Sequence, residues 1–331
     1  MKVAVIGAGS FGTTLAQVFA QKATQVMVWT RDDDVAKHIN TYHAHPLRFT
    51  DVKLATNINA STDLKQVLAK ASIVVSALPM KALRTGAAAC NRYIEHDALF
   101  VSTTKGIEPD TLLFPHQILN EALTKHDELR RASLSGPNFA SEIIRGLLWA
   151  AVIGSKSSAT CKSLQTLLHS PTMRAYTTTD VLGVEVCGAL KNVFAIAAGI
   201  VDGCELGHNA RAAMITRALA EMSSFGVALG AKQKTMYGLS GLGDLLLSCT
   251  STQSRNFRVG QALASGRTPK EIQDELGEVA EGIGTTVAAS VLAARFKLEA
   301  PITHAVNGVL LGSVSLKDAI SQLMSRHASE E

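Results

Sequence analysis

Apolar positions in the first half of the chain fall into short unbroken runs alternating with helix-spaced sets. Lys2–Gly7, Gln25–Trp29, Ile73–Leu78, Leu99–Ser102, Arg131–Ser135 and Leu148–Ile153 read as strands. Ser10–Gln21 carries Leu15, Val18 and Phe19 at helical spacing. Strands separated by helix-length segments predict parallel pairing through right-handed crossovers, hence a doubly wound sheet. After about Asp180 the strand-like runs stop. Ala212–Phe225, Asn256–Ala264, Pro269–Leu276, Thr285–Arg295 and Ala305–Leu311 predict helices, with Asn209 capping one and Thr268-Pro269 opening another. The pattern predicts an α/β domain over residues 1–180 and an all-α domain over 181–331.

One segment departs from its surroundings. "GALKNVFAI", Gly188–Ile196, sets Lys191 and Asn192 inside an apolar stretch from Asp180 to Asp202, long enough for about six helical turns. A charge in such a helix either snorkels to water along its aliphatic stem or is paired and used in a site. Composition does not choose between these. Cys187, Gly188, Ala195 and Ala198 share the lysine's face. Such small neighbours leave space over the ammonium, and a desolvated lysine loses basicity and can exchange protons near neutral pH.

Composition narrows the function classes. A chain of 331 residues, 47% hydrophobic and 18% charged, is globular, with a core large enough for two domains. Aromatics at 5% and a dispersed net charge of +4 argue against nucleic-acid binding. Five scattered cysteines (Cys90, Cys161, Cys187, Cys204, Cys249) read as reduced thiols in a cytoplasmic protein and make no zinc pattern. His43 and His45, in a polar loop, are expected at the surface rather than on a metal. The apolar start "MKVAVIGAGS" is too short and glycine-broken for a signal peptide, and no uninterrupted apolar run reaches the length of a membrane span.

"GAGSFG" puts Gly7, Gly9 and Gly12 in G-x-G-x-x-G spacing between the first strand and the first helix. In that context the glycines serve a tight turn, close approach of a pyrophosphate, and helix-on-strand packing, which is the Rossmann-type dinucleotide signature. The next strand ends "VMVWTR", so Thr30 and Arg31 precede Asp32 to Asp34. Arg31 can stack on adenine and pair with a 2′-phosphate, which favours NADPH and leaves NADH open. The alternative is a solvated Arg31 beside aspartates that begin a helix.

Three further clusters follow strands or glycine turns. "STTKGIE" places Lys105 directly after a buried strand, where open α/β sheets bind ligands. "LSGPNFA" repeats that arrangement with Gly136 and Asn138. In "GLSGLGDLLLSCTSTQSRNFRVG", Asp244 follows a glycine turn, and Ser254, Arg255 and Asn256 open a helix that suits a phosphate; a merely capped helix with surface charges is the alternative. "VAEGIGTT" adds Glu281 before another glycine turn, and no nucleophile elbow occurs.

Seven motifs, "GAGSFGTTLA", "TTKG", "SGPNFA", "GALKNVFAIAAGIVDG", "GHNARAAMITR", "GLGDLLLSCTSTQSRN" and "VAEG", occur in the order and spacing of the bacterial NAD(P)-dependent glycerol-3-phosphate dehydrogenases. The chain resembles that family from Lys2 to about His304. The resemblance implies a Rossmann domain followed by an α-helical domain. It also implies reversible reduction of dihydroxyacetone phosphate to sn-glycerol 3-phosphate, feeding glycerophospholipid synthesis, in a cytoplasmic homodimer. Carried over, Lys191 matches the proton donor and acceptor, Lys105 touches cofactor and substrate, and Asn192 lies by the reacting oxygen. Gly136, Asn138, Asp244, Ser254, Arg255 and Asn256 fall on substrate positions. Ser10, Phe11, Arg31, Ala140, Val279 and Glu281 fall on cofactor positions, with Arg255 shared. Two positions depart from the family pattern: Asn138 stands where threonine is common, and Phe11 where tyrosine or tryptophan is. A β-hydroxyacid dehydrogenase of the 6-phosphogluconate type and a catalytically silent NADPH sensor are the rival readings.

Overall fold

Valine and isoleucine runs such as Val3–Ile6 and Ile73–Val75 have no polar face, so they are stable only with both faces of the strand covered. A computed structural model, which describes residues 1–276 and 280–325, shows them as central strands of an eight-stranded sheet. Its strands are β1 (Lys2–Ile6), β2 (Gln25–Trp29), β3 (Ile58–Ser61), β4 (Ile73–Ser76), β5 (Leu99–Ser102), β6 (Arg131–Ser135), β7 (Trp149–Gly154) and β8 (Met173–Thr178). The order is β3-β2-β1-β4-β5-β6-β7-β8, whose first six strands follow the doubly wound dinucleotide order. Every neighbouring pair is parallel except β6 and β7, which run antiparallel with Leu134 opposite Ile153. The expectation of uniformly parallel pairing is corrected there: residues 136–148 hold only a one-turn helix, Ala140–Ile143, so β7 returns alongside β6.

Two compact units divide the chain. The first comprises Met1–Lys105 and Pro115–Glu185, the second Gly106–Phe114 and Val186–Glu331. In the first, Leu15, Ala16 and Phe19 of the Ser10–Ala20 helix pack on Val3, Val5, Val26 and Val28. Each large side chain buried this way is worth about 1.5–3 kcal/mol, which fixes the helix against β1 and so fixes the glycine turn between them.

The second unit is helical. The Val181–Gly203 helix, whose first residues belong to the first unit, is long and apolar enough by length and composition to cross a membrane. Its most apolar window is 89% buried inside the protein, as in a core helix. Against it lies the Arg255–Ala264 helix. A Cβ on Gly199 would stand 1.9 Å from Phe257 O, and one on Gly260 2.0 Å from Ile196 O, so the two backbones touch only because both residues are glycine. Asn192, Ile196 and Gly199 share one face of the long helix, so that contact brings Asn256 to Asn192.

Helix starts are set locally. Ser254 accepts from Phe257 N, and Thr268 and Glu271 form a reciprocal capping box at the Pro269–Leu276 helix. Asn209 is not a cap: the helix runs Gly207–Ala228, leaving that residue in its first turn. The buried Glu221 carboxylate accepts from Ile302 N, Thr303 N and Thr303 Oγ1, satisfying the first turn of the Pro301–Leu310 helix from a different helix.

Candidate active site

In the first unit, the residues expected from the sequence lie in turns at the carboxyl end of the sheet, where the parallel strands β1, β2, β4, β5 and β6 end. The three glycines of the first turn are required for different reasons. Gly7 has φ +110°, and its Cβ would approach Ala77 O at 3.1 Å. A Cβ on Gly12 would overlap Gly7 O at 1.9 Å. Gly9 has an ordinary φ of −72°, and a Cβ there would meet nothing within 4 Å. Neither conformation nor packing of the protein requires glycine at that position, and no side chain caps the Ser10–Ala20 helix. An open cradle at an uncapped helix N-terminus fits the pyrophosphate of a dinucleotide.

Ser10 and Phe11 open that helix, and the half-buried Phe11 ring packs on the core. Thr14 Oγ1 donates to Ala140 O at 3.2 Å, so Ala140 lies beside the same helix. Arg31 is exposed just past β2. Asp32 is committed to the next helix: its Oδ1 accepts from Asp34 N at 2.9 Å and Val35 N at 3.2 Å. Lys105 and Gly136 are brought together, Lys105 Nζ donating to Gly136 O at 3.4 Å. Asn138 Nδ2 donates to Ala150 O at 2.8 Å, while its buried Oδ1 accepts no hydrogen bond among the described residues.

Side chains on helix faces form the second cluster. Lys191 Nζ donates to Ser248 Oγ at 2.8 Å and lies 3.2 Å from Asp244 Oδ1. Ser248 Oγ in turn donates to Asp244 Oδ1 at 3.3 Å, closing a triangle. The Asp244 side chain is 2% exposed and that of Lys191 14%, so the ammonium is held by a buried carboxylate on a lysine that is itself mostly covered. Lys191 therefore does not snorkel. A π-helical turn, Leu239–Gly243, delivers Asp244; there a Cβ on Gly241 would lie 2.0 Å from Met236 O. Burial pushes the neighbouring Cys249 thiol up, which keeps it neutral beside this charged pair.

Next to the triangle, Asn256 Nδ2 donates to Asn192 Oδ1 at 2.9 Å, and Asn256 Oδ1 accepts from Gly282 N at 3.0 Å. Asn256 thus ties Asn192 to the start of the Glu281–Phe296 helix, where Glu281 is the first residue. Val279 lies outside the described residues. Ser254 is the N-cap of the Arg255–Ala264 helix and Arg255 its exposed first residue.

Two residues escaped the sequence reading. Ser248 sits four positions after Asp244, a spacing that puts both on one helix face, but nothing local marks it from other serines. His45, expected at the surface, is only 4% exposed and bonds to the glycine turn.

A glycine-turn Rossmann sheet followed in the chain by a helical unit with a lysine paired to a buried carboxylate defines a nicotinamide-cofactor dehydrogenase. Residues 2–161 match the N-terminal part, and residues 180–321 the C-terminal part, of NAD-dependent glycerol-3-phosphate dehydrogenase. The chain belongs to that oxidoreductase family. It is 42% identical over 333 residues to a glycerol-3-phosphate dehydrogenase [NAD(P)+] of Oleidesulfovibrio alaskensis, covering all of both chains. It is 38% identical to that of Bacillus subtilis, over all of this chain and 96% of the relative. The crystal structure of the Coxiella burnetii glycerol-3-phosphate dehydrogenase superposes with a TM-score of 0.92 at 34% identity, covering 98% of this chain and 99% of the other.

Proposed function

We propose that the protein catalyses the reversible NAD(P)H-dependent reduction of dihydroxyacetone phosphate to sn-glycerol 3-phosphate, supplying glycerophospholipid synthesis. The observation that carries this reading is the Lys191–Ser248–Asp244 triangle, a mostly covered lysine with a buried counter-charge. When bound, the nicotinamide supplies the hydride. Gly7, Gly9, Ser10, Phe11, Gly12, Arg31, Ala140, Val279 and Glu281 hold the cofactor, with Lys105 and Arg255 shared between cofactor and substrate.

Lys191 gives its proton to the carbonyl oxygen as that oxygen takes on negative charge, and recovers it in the reverse direction. Ser248 and Asp244 keep the ammonium in one orientation. Asn192 and Lys105 stabilise the developing charge on the oxygen, and Gly136 and Asn138 line the substrate. Arg255 grips the phosphate at the start of its helix, which Ser254 caps. Asn256 has both ends of its amide engaged within the protein, so its backbone N–H is the group it offers the phosphate. Remote phosphate binding then positions the ketone.

NADPH is the favoured cofactor. A ribose-binding acid is replaced at the end of β2 by the exposed Arg31, and the next acid, Asp32, caps a helix. The enzyme works in the cytoplasm as a homodimer, an assembly that sedimentation of the purified protein tests. The reaction is tested by following NADPH and NADH oxidation with dihydroxyacetone phosphate and with unphosphorylated dihydroxyacetone. Turnover confined to the phosphorylated ketone is the expected result. Equal turnover of both would remove the phosphate pocket, and none with either would remove the reaction.

A further inference from the structure

His45 is buried in the segment between the Asp33–Tyr42 helix and β3, far in sequence from the glycine turn, yet its ring bonds to that turn. Nδ1 lies 3.1 Å from both Leu47 N and Arg48 N, which donate to it. A nitrogen accepting two backbone N–H bonds carries no proton, so the ring proton is on Nε2. Nε2 is 2.9 Å from Ala8 O and donates to it. Burial, then the nearby Arg48 and His38, push the imidazole below its ordinary value against the opposing pull of the Ala8 bond and Asp32, so the ring stays neutral near pH 7.

Ala8 is the residue between the two glycines Gly7 and Gly9. A peptide unit is planar, with its C=O and the following N–H pointing in opposite directions. Holding the Ala8 carbonyl therefore fixes the Gly9 N–H, which points away from His45 and donates to no group among the described residues. The space around Gly9 is also the part of the turn left open by the protein. Thr13 Oγ1 reaches the same carbonyl at 3.4 Å, a longer and secondary bond. Glycine on the Gly9 side eases rotation of that peptide unit unless something holds it.

We propose that His45 is a positioning residue for cofactor binding: its Nε2–H locks the Ala8–Gly9 peptide so that the Gly9 N–H is aimed in advance at the dinucleotide pyrophosphate. The proposal rests on the glycine turn being the cofactor cradle. A flexible turn must be ordered when the cofactor arrives, whereas a held turn is already in place, so His45 contributes affinity without touching the ligand.

Two substitutions separate the ring's two bonds. In His45→Asn the amide oxygen stands at the same bond separation from Cα as Nδ1 and accepts from residues 47 and 48 as an Asx turn does, but it does not reach Ala8. In His45→Gln the amide N–H stands at the bond separation of Nε2 and recovers the bond to Ala8 O. The experiment is NADPH titration of the full-length protein by fluorescence, with KM for NADPH, kcat and melting temperature measured alongside. The expected result is an affinity loss of about tenfold in His45→Asn, the worth of one well-ordered hydrogen bond, falling on KM rather than kcat and largely recovered in His45→Gln. Wild-type affinity in His45→Asn would overturn the proposal, and so would equal losses in both variants that track the melting temperature. Gly9→Ala tests the reading beneath it, since its Cβ meets only open space in the protein. Should Gly9→Ala bind NADPH normally, the cradle reading falls and the proposal with it. Should it lose binding while His45→Asn keeps it, the proposal alone falls.

Discussion

The two units present their chemistry in opposite ways. At the carboxyl end of the sheet the site is mostly main chain: the turn at Gly7–Gly12, the carbonyl of Gly136, and N–H groups at an uncapped helix start. In the helical unit it is side chains converging from separate helices, Lys191 with Asp244 and Ser248, and Asn192 with Asn256. A backbone site is a local object, built by a few consecutive residues whose lack of side chains is the point. A side-chain site is non-local and depends on helices touching at places such as Gly199 and Gly260. Substitutions in the glycine turn act through sterics and peptide orientation, and those in the helical cluster through charge and proton transfer.

The largest effect expected from this contrast is at Lys191. Lys191→Ala lowers kcat by about 10²- to 10⁴-fold while NADPH affinity, set by other residues, stays near wild type. Steady-state kinetics with a cofactor titration checks both halves, and near-normal turnover would remove the proton-transfer role. Next is Asp244→Ala, which leaves the Lys191 ammonium without its buried carboxylate. Losing one partner of a buried pair costs about 3–5 kcal/mol, and Asp244→Asn, which keeps a polar group of the same shape, costs less. Denaturant unfolding of the two variants gives the comparison directly.

A smaller effect is expected at the carboxyl end of the sheet. Arg31→Ala weakens NADPH by about 10- to 100-fold, the worth of a charge-assisted bond to a phosphate, and leaves NADH nearly unchanged. Equal losses for both cofactors would point to adenine stacking instead. The smallest concerns pH. Burial, first among the causes, pushes both His45 and His126 below the ordinary histidine value of 6.5. Arg48, His38 and Asp32 face the first, and Arg131, Asp127 and His96 the second. Between the lowered folded value and 6.5 the unfolded chain binds more protons, so this stability is complete above that range and is lost as the pH falls through it. The melting temperature should drop by a few degrees between pH 7 and pH 5, and less in His45→Gln.

Sequence alone determined whatever a few consecutive residues settle by their own sterics and periodicity. The strands β2, β5 and β6 fall on the apolar runs that predict them, and the Pro269–Leu276 helix on its Thr268-Pro269 start. The spacing of Gly7, Gly9 and Gly12 identified the turn because each glycine answers a local demand of conformation, packing or access. Lys191 stood out as a charge in an apolar helix, which is visible without knowing its partners. Tertiary structure decided the rest. The edge strands β3 and β8 interleave buried residues with half-exposed or exposed ones and have no apolar run, so only their pairing to β2 and β7 makes them strands. Ser248 became a partner of Lys191, and Asn256 of Asn192, across separations of 57 and 64 residues. His45 looked like a surface loop residue because its neighbours are polar, yet the fold buries it with its ring against the Ala8 carbonyl, 37 residues away in sequence. Propensity and pattern reach a turn or two along the chain. Which side chain meets which across the fold is set by packing, and packing is known only when every element is in place.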